Sequence, residues 1–337
     1  MSILASSHLP KLSGKNGFIL LFLSTLLRIT RILRFNYRKI KLYLKRKGNP
    51  IFLPNNYTFV KGVITLNQKQ LSMMNEKSWN AAAYEAWTNR HGAPVDYAKK
   101  IMEEPTREVA HYLPYIQSPK GKRIINLLGS KGNKAVALSL LGSDVTVVDI
   151  SASNAKYANE LAEAAGVSIQ YIVSDVLDVN LSESFDVVLL ELGVLHYFLD
   201  LKPLFQKIAN LLKQDGMLIL RDYHPVYTKL LGVDHPSFRA NGNYFDKELI
   251  EDDVAYSILL TESQKEALPK TNIRRWTLGE IVTTLAEERF KIEKLVEEHG
   301  SHQRWVFPST SPEGIEERIP GLYTLIATTC KKGSLHG

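Results

Sequence analysis

The segment from Arg123 to Asp149 constrains the fold of this chain more than any other stretch. It has the sequence R-I-I-N-L-L-G-S-K-G-N-K-A-V-A-L-S-L-L-G-S-D-V-T-V-V-D, in which the apolar run Arg123–Leu128 stops at Gly129. An Ala/Leu segment follows, and a second apolar run, Asp144–Asp149, ends in an acid. The pattern predicts a buried strand, a glycine turn, a short helix and a second buried strand. A carboxylate about 20 residues after the first glycine, beside a helix N-terminus, suits an adenosine ribose.

The alternation of strand and helix patterns continues down the chain. Three more apolar runs predict strands and one predicts a helix between them: Ile169–Val173, Phe185–Glu191 and Gly216–Tyr223 as strands, and Leu199–Leu212 as the helix. Such alternation predicts a parallel sheet with helices on both faces, and ligands bind outside the carboxyl ends of its strands. Four acids fall at those ends: Asp149, Asp175, Glu191 and Asp222. The turn Gly129-Ser130-Lys131-Gly132 is a weak signal alone, because it lacks the G-x-G-x-x-G spacing of dinucleotide sites.

Four short motifs in this region resemble the class I S-adenosylmethionine (SAM)-dependent methyltransferases. They are Asn126–Gly132, Val148–Ser151, Ser174–Leu177 and Glu191–Tyr197, in the order and spacing of that family. The likeness covers about residues 79–330 and is similar to the small-molecule branch. It implies an α/β fold with a Rossmann-like doubly wound sheet, mostly parallel with a reversed last strand. The function that it implies is methyl transfer to a small-molecule acceptor.

The rest of the chain fits around that sheet. Patterns of helix and strand predict two leading helices, a last helix and two final strands: Ser78–Asn89, Val95–Glu104, Trp276–Glu288, Phe290–His299 and Leu322–Cys330. The segment Pro225–Arg275, rich in aromatic and charged residues, is the expected lid insertion. The domain is therefore expected to span residues 73–330, with a short tail over residues 331–337.

The resemblance also implies a set of cofactor-binding residues for SAM. Gly129, Ser130 and Gly132 would pass under the methionine part, and Asn126 would accept a hydrogen bond from its ammonium. The remaining assignments are Asp149 with Ile150 at the ribose, Asp175 with Val176 at the adenine, Glu191, Leu192 and Gly193 near the sulfonium, and Tyr84 closing over the ligand. The family pattern is D-x-G-x-G-x-G, and Asn126, Leu128 and Ser130 replace its acid and two of its glycines.

Two histidines follow predicted strand ends and are candidate general bases. His196 follows the fourth strand and His224 follows the fifth. Imidazole is matched to proton transfer near neutral pH, so either ring could deprotonate an acceptor. The alternative is that each ring merely hydrogen-bonds loop backbone. No histidine or cysteine spacing typical of a metal site supports a metal centre.

Charge divides the chain into two parts. Residues 1–72 hold 13 Lys/Arg and no Asp or Glu, whereas residues 73–337 hold 29 basic and 35 acidic residues. An acidic catalytic part disfavours nucleic acid as substrate, because phosphate contacts need basic surfaces. The basic leader could be a disordered or targeting segment, sequence upstream of a true start near Met73, or a weak membrane-surface contact through residues 17–47.

The single cysteine, Cys330, permits no disulfide within the chain, which favours a cytoplasmic protein. Two other functions stay open. The altered glycine loop allows a SAM- or nucleotide-binding module without turnover. An NAD-dependent oxidoreductase is the second alternative, and both the missing third glycine and the second acid, Asp175, disfavour it.

Overall fold

The computed structural model describes residues 58–60, 63–234, 237–299, 306–307 and 311–329. The chain divides into two compact units, Met1–Leu66 and Asn67–Gly337. In the first unit, β1 (Thr58–Val60) and β2 (Val63–Thr65) form an antiparallel pair. The expectations for residues 1–57 and 331–337 lie outside the described residues. Among the helices that the structure describes, none has the length and apolarity needed to cross a membrane.

The second unit opens with four helices: α1 (Gln68–His91), α2 (Pro94–Glu103), α3 (Pro105–Glu108) and α4 (Leu113–Ile116). The Asn67 side chain caps α1 by accepting from the Gln70 amide at 2.9 Å, and Gln70 Oε1 accepts from the Asn67 amide at 3.0 Å. This reciprocal capping fixes the helix start. Met73, the expected start of the domain, lies inside α1.

The central elements alternate as the sequence predicts. They are β3 (Arg123–Leu127), α5 (Asn133–Leu140), β4 (Asp144–Asp149), α6 (Ala152–Ala164), β5 (Gln170–Val173), β6 (Phe185–Glu191), α7 (Lys202–Leu211) and β7 (Leu212–Tyr223). The two largest differences from the predicted bounds are in consecutive elements. Helix α7 begins three residues after its predicted start, and strand β7 begins four residues before its predicted start. A Pro at the first turn of α7 favours that later helix start.

The segment Pro225–Arg275 contributes no strand to the main sheet in its described part. It contains β8 (Gly232–Asp234), β9 (Ser237–Arg239), β10 (Leu249–Asp252), α8 (Glu262–Ala267) and β11 (Thr271–Arg274), with β8 paired to β9 and β10 to β11. The Tyr256 hydroxyl donates to the Ser78 carbonyl at 2.6 Å, which ties this segment to α1.

The last elements complete a seven-stranded sheet. They are α9 (Leu278–Glu287), β12 (Phe290–Glu298) and β13 (Leu322–Thr329). The strand order is β12-β13-β7-β6-β3-β4-β5, and β13 runs antiparallel to both of its neighbours. The predicted sheet, mostly parallel with a reversed last strand, is confirmed.

Apolar residues cover both faces of this sheet, as a doubly wound arrangement requires. Alternating positions of β3 show the division. Ile124 packs in one cluster with α2 and α5, whereas Ile125 packs in a second cluster with α7 and α9. Both side chains are fully buried. The central strands are thus enclosed, and their carboxyl ends are left to form a site.

Candidate functional site

A cavity of about 600 Å³ lies at the carboxyl ends of β3, β4, β5 and β6. One side is formed by the turns that follow these strands, and the other by α1. Its size falls in the range of small-molecule sites. The chain segments that line it include 128–131, 148–150, 174–176 and 191–194, with Gln68, Ser72, Asn75 and Trp79 from α1.

The turn after β3 holds two non-glycine residues in the left-handed backbone region. The φ angle is 52° at Leu128 and 49° at Ser130. These are the two positions at which the family pattern has glycine, so the backbone path is kept at a strain of roughly 1–3 kcal/mol per residue. Gly129 is required for another reason, since a Cβ there would lie 2.7 Å from Val147 Cγ1. The turn therefore keeps the shape of a ligand-binding loop with only part of its usual glycines.

Asp149, at the end of β4, anchors that turn. Its Oδ2 accepts from the Ser130 amide at 2.9 Å, and its Oδ1 accepts from the Ser151 amide at 2.9 Å and from Asn154 Nδ2 at 3.2 Å. Burial raises the pKa of Asp149, and these hydrogen bonds oppose the rise. The side chain lines the cavity but is 8% exposed. It is thus a buried structural acid as well as a lining residue.

Asp222, at the end of β7, plays the same structural part for the turn after β6. Its Oδ1 accepts from the Gly193 amide at 2.5 Å and from the Tyr223 amide at 2.7 Å. Leu192 and Gly193 have φ angles of 49° and 76°. Burial raises the pKa of Asp222 as well. Unlike Asp149, Asp222 does not line the cavity.

A buried polar chain supports Glu191, the lining carboxylate at the end of β6. The Tyr112 hydroxyl donates to Glu191 Oε2 at 2.6 Å. Burial raises the pKa of Tyr112, and the nearby Glu191 charge adds to that rise. Behind Tyr112, Arg221 pairs with Glu298 at 2.6 Å and is 2% exposed. The network holds Glu191 in one orientation at the cavity wall.

Cations gather at the end of the cavity formed by α1, α3 and α5. Lys131 lies 4.6 Å from the centre of the Trp87 ring, and Arg90 and Lys134 line the same region. Glu108 lies 3.5 Å from Lys134 and also accepts from Asn133 Nδ2 at 2.7 Å. Burial is the main cause that lowers the pKa of Lys131, to about 8, and Lys134 lowers it further.

Nine of the twelve predicted cofactor-binding residues line this cavity: Gly129, Ser130, Asp149, Ile150, Asp175, Val176, Glu191, Leu192 and Gly193. Three do not. Gly132 packs against α6, where an added Cβ would meet the Ala158 Cβ at 2.7 Å. The Tyr84 hydroxyl donates to Glu160 at 2.5 Å, away from the lining. Asn126 is fully buried beneath Gly129, and its Oδ1 has no hydrogen-bond partner among the described residues.

Neither candidate base, His196 or His224, is among the residues that line the cavity. His224 is 3% exposed, its Nδ1 accepts from the Val226 amide at 3.2 Å, and its Nε2 lies 2.9 Å from Glu297 Oε1 on β12. His196 packs its Cε1 near Gly193, and burial lowers its pKa to about 3. The reason is the turn geometry, which directs Tyr223 rather than His224 to the cavity.

The contribution of α1 to the cavity was not predicted from the sequence. Gln68, Ser72, Asn75 and Trp79 recur at spacings of three and four residues, which places them on one helix face. This periodicity could have predicted the face of α1 that lines the cavity. The expected domain start at Met73, however, left Gln68 and Ser72 outside the domain. Gln68 joins α1 to the turn before α7, since its Oε1 accepts from the Leu199 amide at 2.8 Å.

Comparisons with known proteins agree with the fold. Residues 128–220 match the family described as "Methyltransferase domain". A methyltransferase of Geobacillus sp. (strain WCH70) is 30% identical over 155 residues, which cover 45% of this chain and 55% of that protein. The uncharacterized methyltransferase YbaJ of Bacillus subtilis is 29% identical over 140 residues, covering 39% and 53%. The chain thus spans about half the length of these curated relatives.

A solved structure shows the same fold. A SAM-dependent methyltransferase from Listeria monocytogenes superposes with a TM-score of 0.50 at 20% identity, over 67% of this chain and 98% of its own. Residues 128–220 are thus similar to a methyltransferase domain, and the fold is the one seen in the Listeria monocytogenes protein.

Proposed function

We propose that this protein transfers the methyl group of SAM to a nucleophilic atom of a small-molecule acceptor. The observation that carries the proposal is the cavity at the carboxyl edge of the sheet. It joins the turn after β3, the acids Asp149 and Asp175, and Glu191 in one space. In a doubly wound sheet this edge is where ligands bind.

The lining residues fit the parts of SAM in a consistent order. Asp149 Oδ2 accepts one hydrogen bond within the protein, from the Ser130 amide, and its second lone pair would accept from the ribose hydroxyls. Asp175 and Val176 would contact the adenine, and Ile150 would lie beside the ribose. The turn over Gly129 and Ser130 would lie under the methionine part.

The chemistry of the group limits what the protein must add. When bound, SAM supplies a methyl group that is already activated by its sulfonium. The lining residues then contribute alignment and exclusion of water. Trp79, Tyr197 and Tyr223 line the cavity, and Trp79 Nε1 donates to the Tyr197 hydroxyl at 3.0 Å. These aromatic side chains are suited to enclosing a small organic acceptor.

A small acceptor also agrees with the charge of the chain. The part that contains the sheet is acidic overall, so it lacks the excess of basic residues that nucleic acid binding requires. We further propose that the protein works in the cytoplasm, as the single cysteine suggests.

One observation favours a second candidate, a SAM-binding module without turnover. The Leu128 side chain lines the cavity at a position where the family pattern has glycine. A side chain there narrows the space next to the expected methionine part and could hinder the approach of an acceptor.

Calorimetry on the full chain with SAM, S-adenosylhomocysteine and NAD tests the cofactor. We expect the first two to bind in the micromolar range, on the order of −8 kcal/mol, and NAD to give no signal. Binding of NAD without SAM would contradict the proposal. Incubation with radiolabelled SAM and metabolite extracts then separates the enzyme from the silent module, because only the enzyme transfers label.

A further inference from the structure

Helix α1 is bent in its middle, at Ala82. The φ and ψ angles of this residue are −153° and 22°, which lie outside the helical region. A hydroxyl from the segment after β7 contacts the helix at the same point. The Tyr256 hydroxyl accepts from the Ala82 amide at 3.0 Å and donates to the Ser78 carbonyl at 2.6 Å, the two backbone groups that one step of a straight helix joins. A side chain that enters the backbone ladder in this way is a known cause of a kink.

The start of α6 satisfies a second backbone group at the bend. The Tyr84 amide, which in a straight helix would donate to the Asn80 carbonyl, donates to Ser153 Oγ at 3.0 Å. The Asn80 side chain in turn accepts from the Ser153 amide at 3.2 Å. Burial raises the pKa of Tyr256 to about 12, so at neutral pH its hydroxyl keeps the proton that it donates to Ser78. The bend is thus held by side chains from two other parts of the domain.

The bend separates two arms of α1 that both line the cavity. The first arm, residues 68–81, contributes Trp79 to the lining, and the second arm, residues 83–91, contributes Trp87. On a straight helix these two side chains would face directions about 80° apart around the axis, because they are eight residues apart. In the bent helix both rings pack against the Tyr256 ring, with centroid distances of 5.5 Å for Trp79 and 6.5 Å for Trp87. The angle between the arms therefore decides how both tryptophans face the cavity.

Each arm is anchored to a different element. In the first arm, Asn75 Nδ2 donates to the Asn272 carbonyl at 3.1 Å and Asn75 Oδ1 accepts from the Asn272 amide at 2.8 Å, which ties this arm to β11. In the second arm, Trp87 Nε1 donates to Asn154 Oδ1 at 2.9 Å, which ties that arm to α6. Straightening a helix moves one arm relative to the other, so both anchors hold together only while α1 keeps its bend.

We propose that Tyr256 is a positioning residue for ligand binding, because its hydroxyl holds the bend that directs both arms of α1 to the bound cofactor. The inference rests on the proposed function, since it treats the cavity as the SAM site. Without the hydroxyl, a straight helix becomes more stable relative to the bent one, and it turns one arm away from the ligand. The apparent affinity then falls with the fraction of molecules that keep the bend.

Calorimetry on the full chain with S-adenosylhomocysteine tests this role. Tyr256→Phe keeps the ring and removes the hydroxyl, and it should weaken binding about 10-fold, as expected when the bent form loses one or two hydrogen bonds. Tyr157→Phe is the matched control, because the buried Tyr157 hydroxyl also donates to a backbone carbonyl, that of Gly92 at 3.0 Å, and Tyr157 does not line the cavity. The control should change the affinity by less than about threefold. Without ligand, the two variants should show similar losses of melting temperature.

A second substitution separates positioning from stability. Glycine disfavours a straight helix relative to alanine, so Ala82→Gly in the Tyr256→Phe chain should restore the affinity to within about threefold of the wild type while it lowers the melting temperature further. If the hydroxyl only adds stability, glycine cannot restore the affinity. Ser153→Ala loosens the bend from the side of α6 and should also weaken binding, so the test does not depend on the folding of one variant.

Two results would overturn the role of Tyr256. One is a folded Tyr256→Phe protein that binds S-adenosylhomocysteine within about threefold of the wild type. The other is a loss of affinity that Ala82→Gly does not restore. If Tyr256→Phe does not fold, unchanged binding by Ser153→Ala has the same consequence. Failure of the wild type to bind S-adenosylhomocysteine would instead refute the proposed function, and this inference with it.

Discussion

Asp149 accepts from the Ser130 amide of the glycine turn and also lines the cavity. Asp149→Asn should therefore affect both the turn and the binding of SAM. The amide oxygen can still accept from Ser151 and Asn154, but the amide NH₂ then faces the Ser130 N–H, so the tether of the glycine turn is lost. At the same time the ribose hydroxyls lose a charged acceptor. Hydrogen bonds to charged groups contribute about 1.5–3 kcal/mol, so the SAM dissociation constant should rise roughly 10- to 150-fold.

The stability of the ligand-free variant should change much less than the affinity. An unsatisfied Ser130 amide costs about 1–3 kcal/mol. The raised pKa of Asp149 opposes this, because a carboxyl whose pKa is higher in the folded state loses stability as pH rises through that pKa. At neutral pH the amide removes the unfavourable ionisation, and the two effects partly cancel.

Asp222→Asn is the matched control, because Asp222 is also a buried acid that accepts from turn amides but does not line the cavity. Urea unfolding should show similar stability changes for the two variants, and calorimetry should show the larger loss of SAM affinity for Asp149→Asn. A folded Asp149→Asn protein that binds SAM within threefold of the wild type would refute the role of this acid.

Three other perturbations have definite expected outcomes. Ser130→Gly relieves the backbone strain of a residue in the left-handed region. It should raise the free energy of unfolding by about 0.5–1 kcal/mol in urea titrations, and a lower free energy of unfolding would show that the φ angle stores no strain. His224→Ala should lower stability by about 1–3 kcal/mol and leave the rate of methyl transfer near wild type, and a rate loss of 10²-fold or more would restore this histidine as a base. Residues 67–337 should fold and bind SAM, whereas a chain starting at Met73 loses the cap of α1 and the Gln68 contact and should melt earlier; equal melting temperatures would contradict this.

The central strands could be predicted because they are enclosed on both faces. Such strands appear as unbroken apolar runs, which is why Phe185–Glu191 was predicted with the bounds that the structure shows. The reversed last strand followed from the family resemblance, since apolar runs carry no direction. Helix starts were harder to predict. The start of α1 depends on its cap at Asn67, and this residue lies in the basic part of the chain, before the charge changes at residue 73.

The position of the site could be predicted from the sequence, but the roles of its individual residues were harder to predict. Every strand-end acid that was expected at the cavity lies at the correct edge of the sheet. The direction of neighbouring side chains was not predictable, because successive residues alternate only while a strand lasts. Tyr223 and His224 adjoin at the end of β7, yet the first lines the cavity and the second packs against β12.

Asp149 and Asp222 show why the role of an acid at the end of a strand cannot be told from the sequence alone. Both end a strand, both accept from amides of a turn that follows the neighbouring strand, and burial raises both pKa values. A strained turn whose amides point inward needs such an acceptor whether or not a ligand is present. A ligand role requires in addition that the acid line the cavity, as Asp149 does and Asp222 does not. In the strand order β7-β6-β3-β4, Asp149 at the end of β4 lies beside the turn after β3. Asp222 at the end of β7 lies beside the turn after β6.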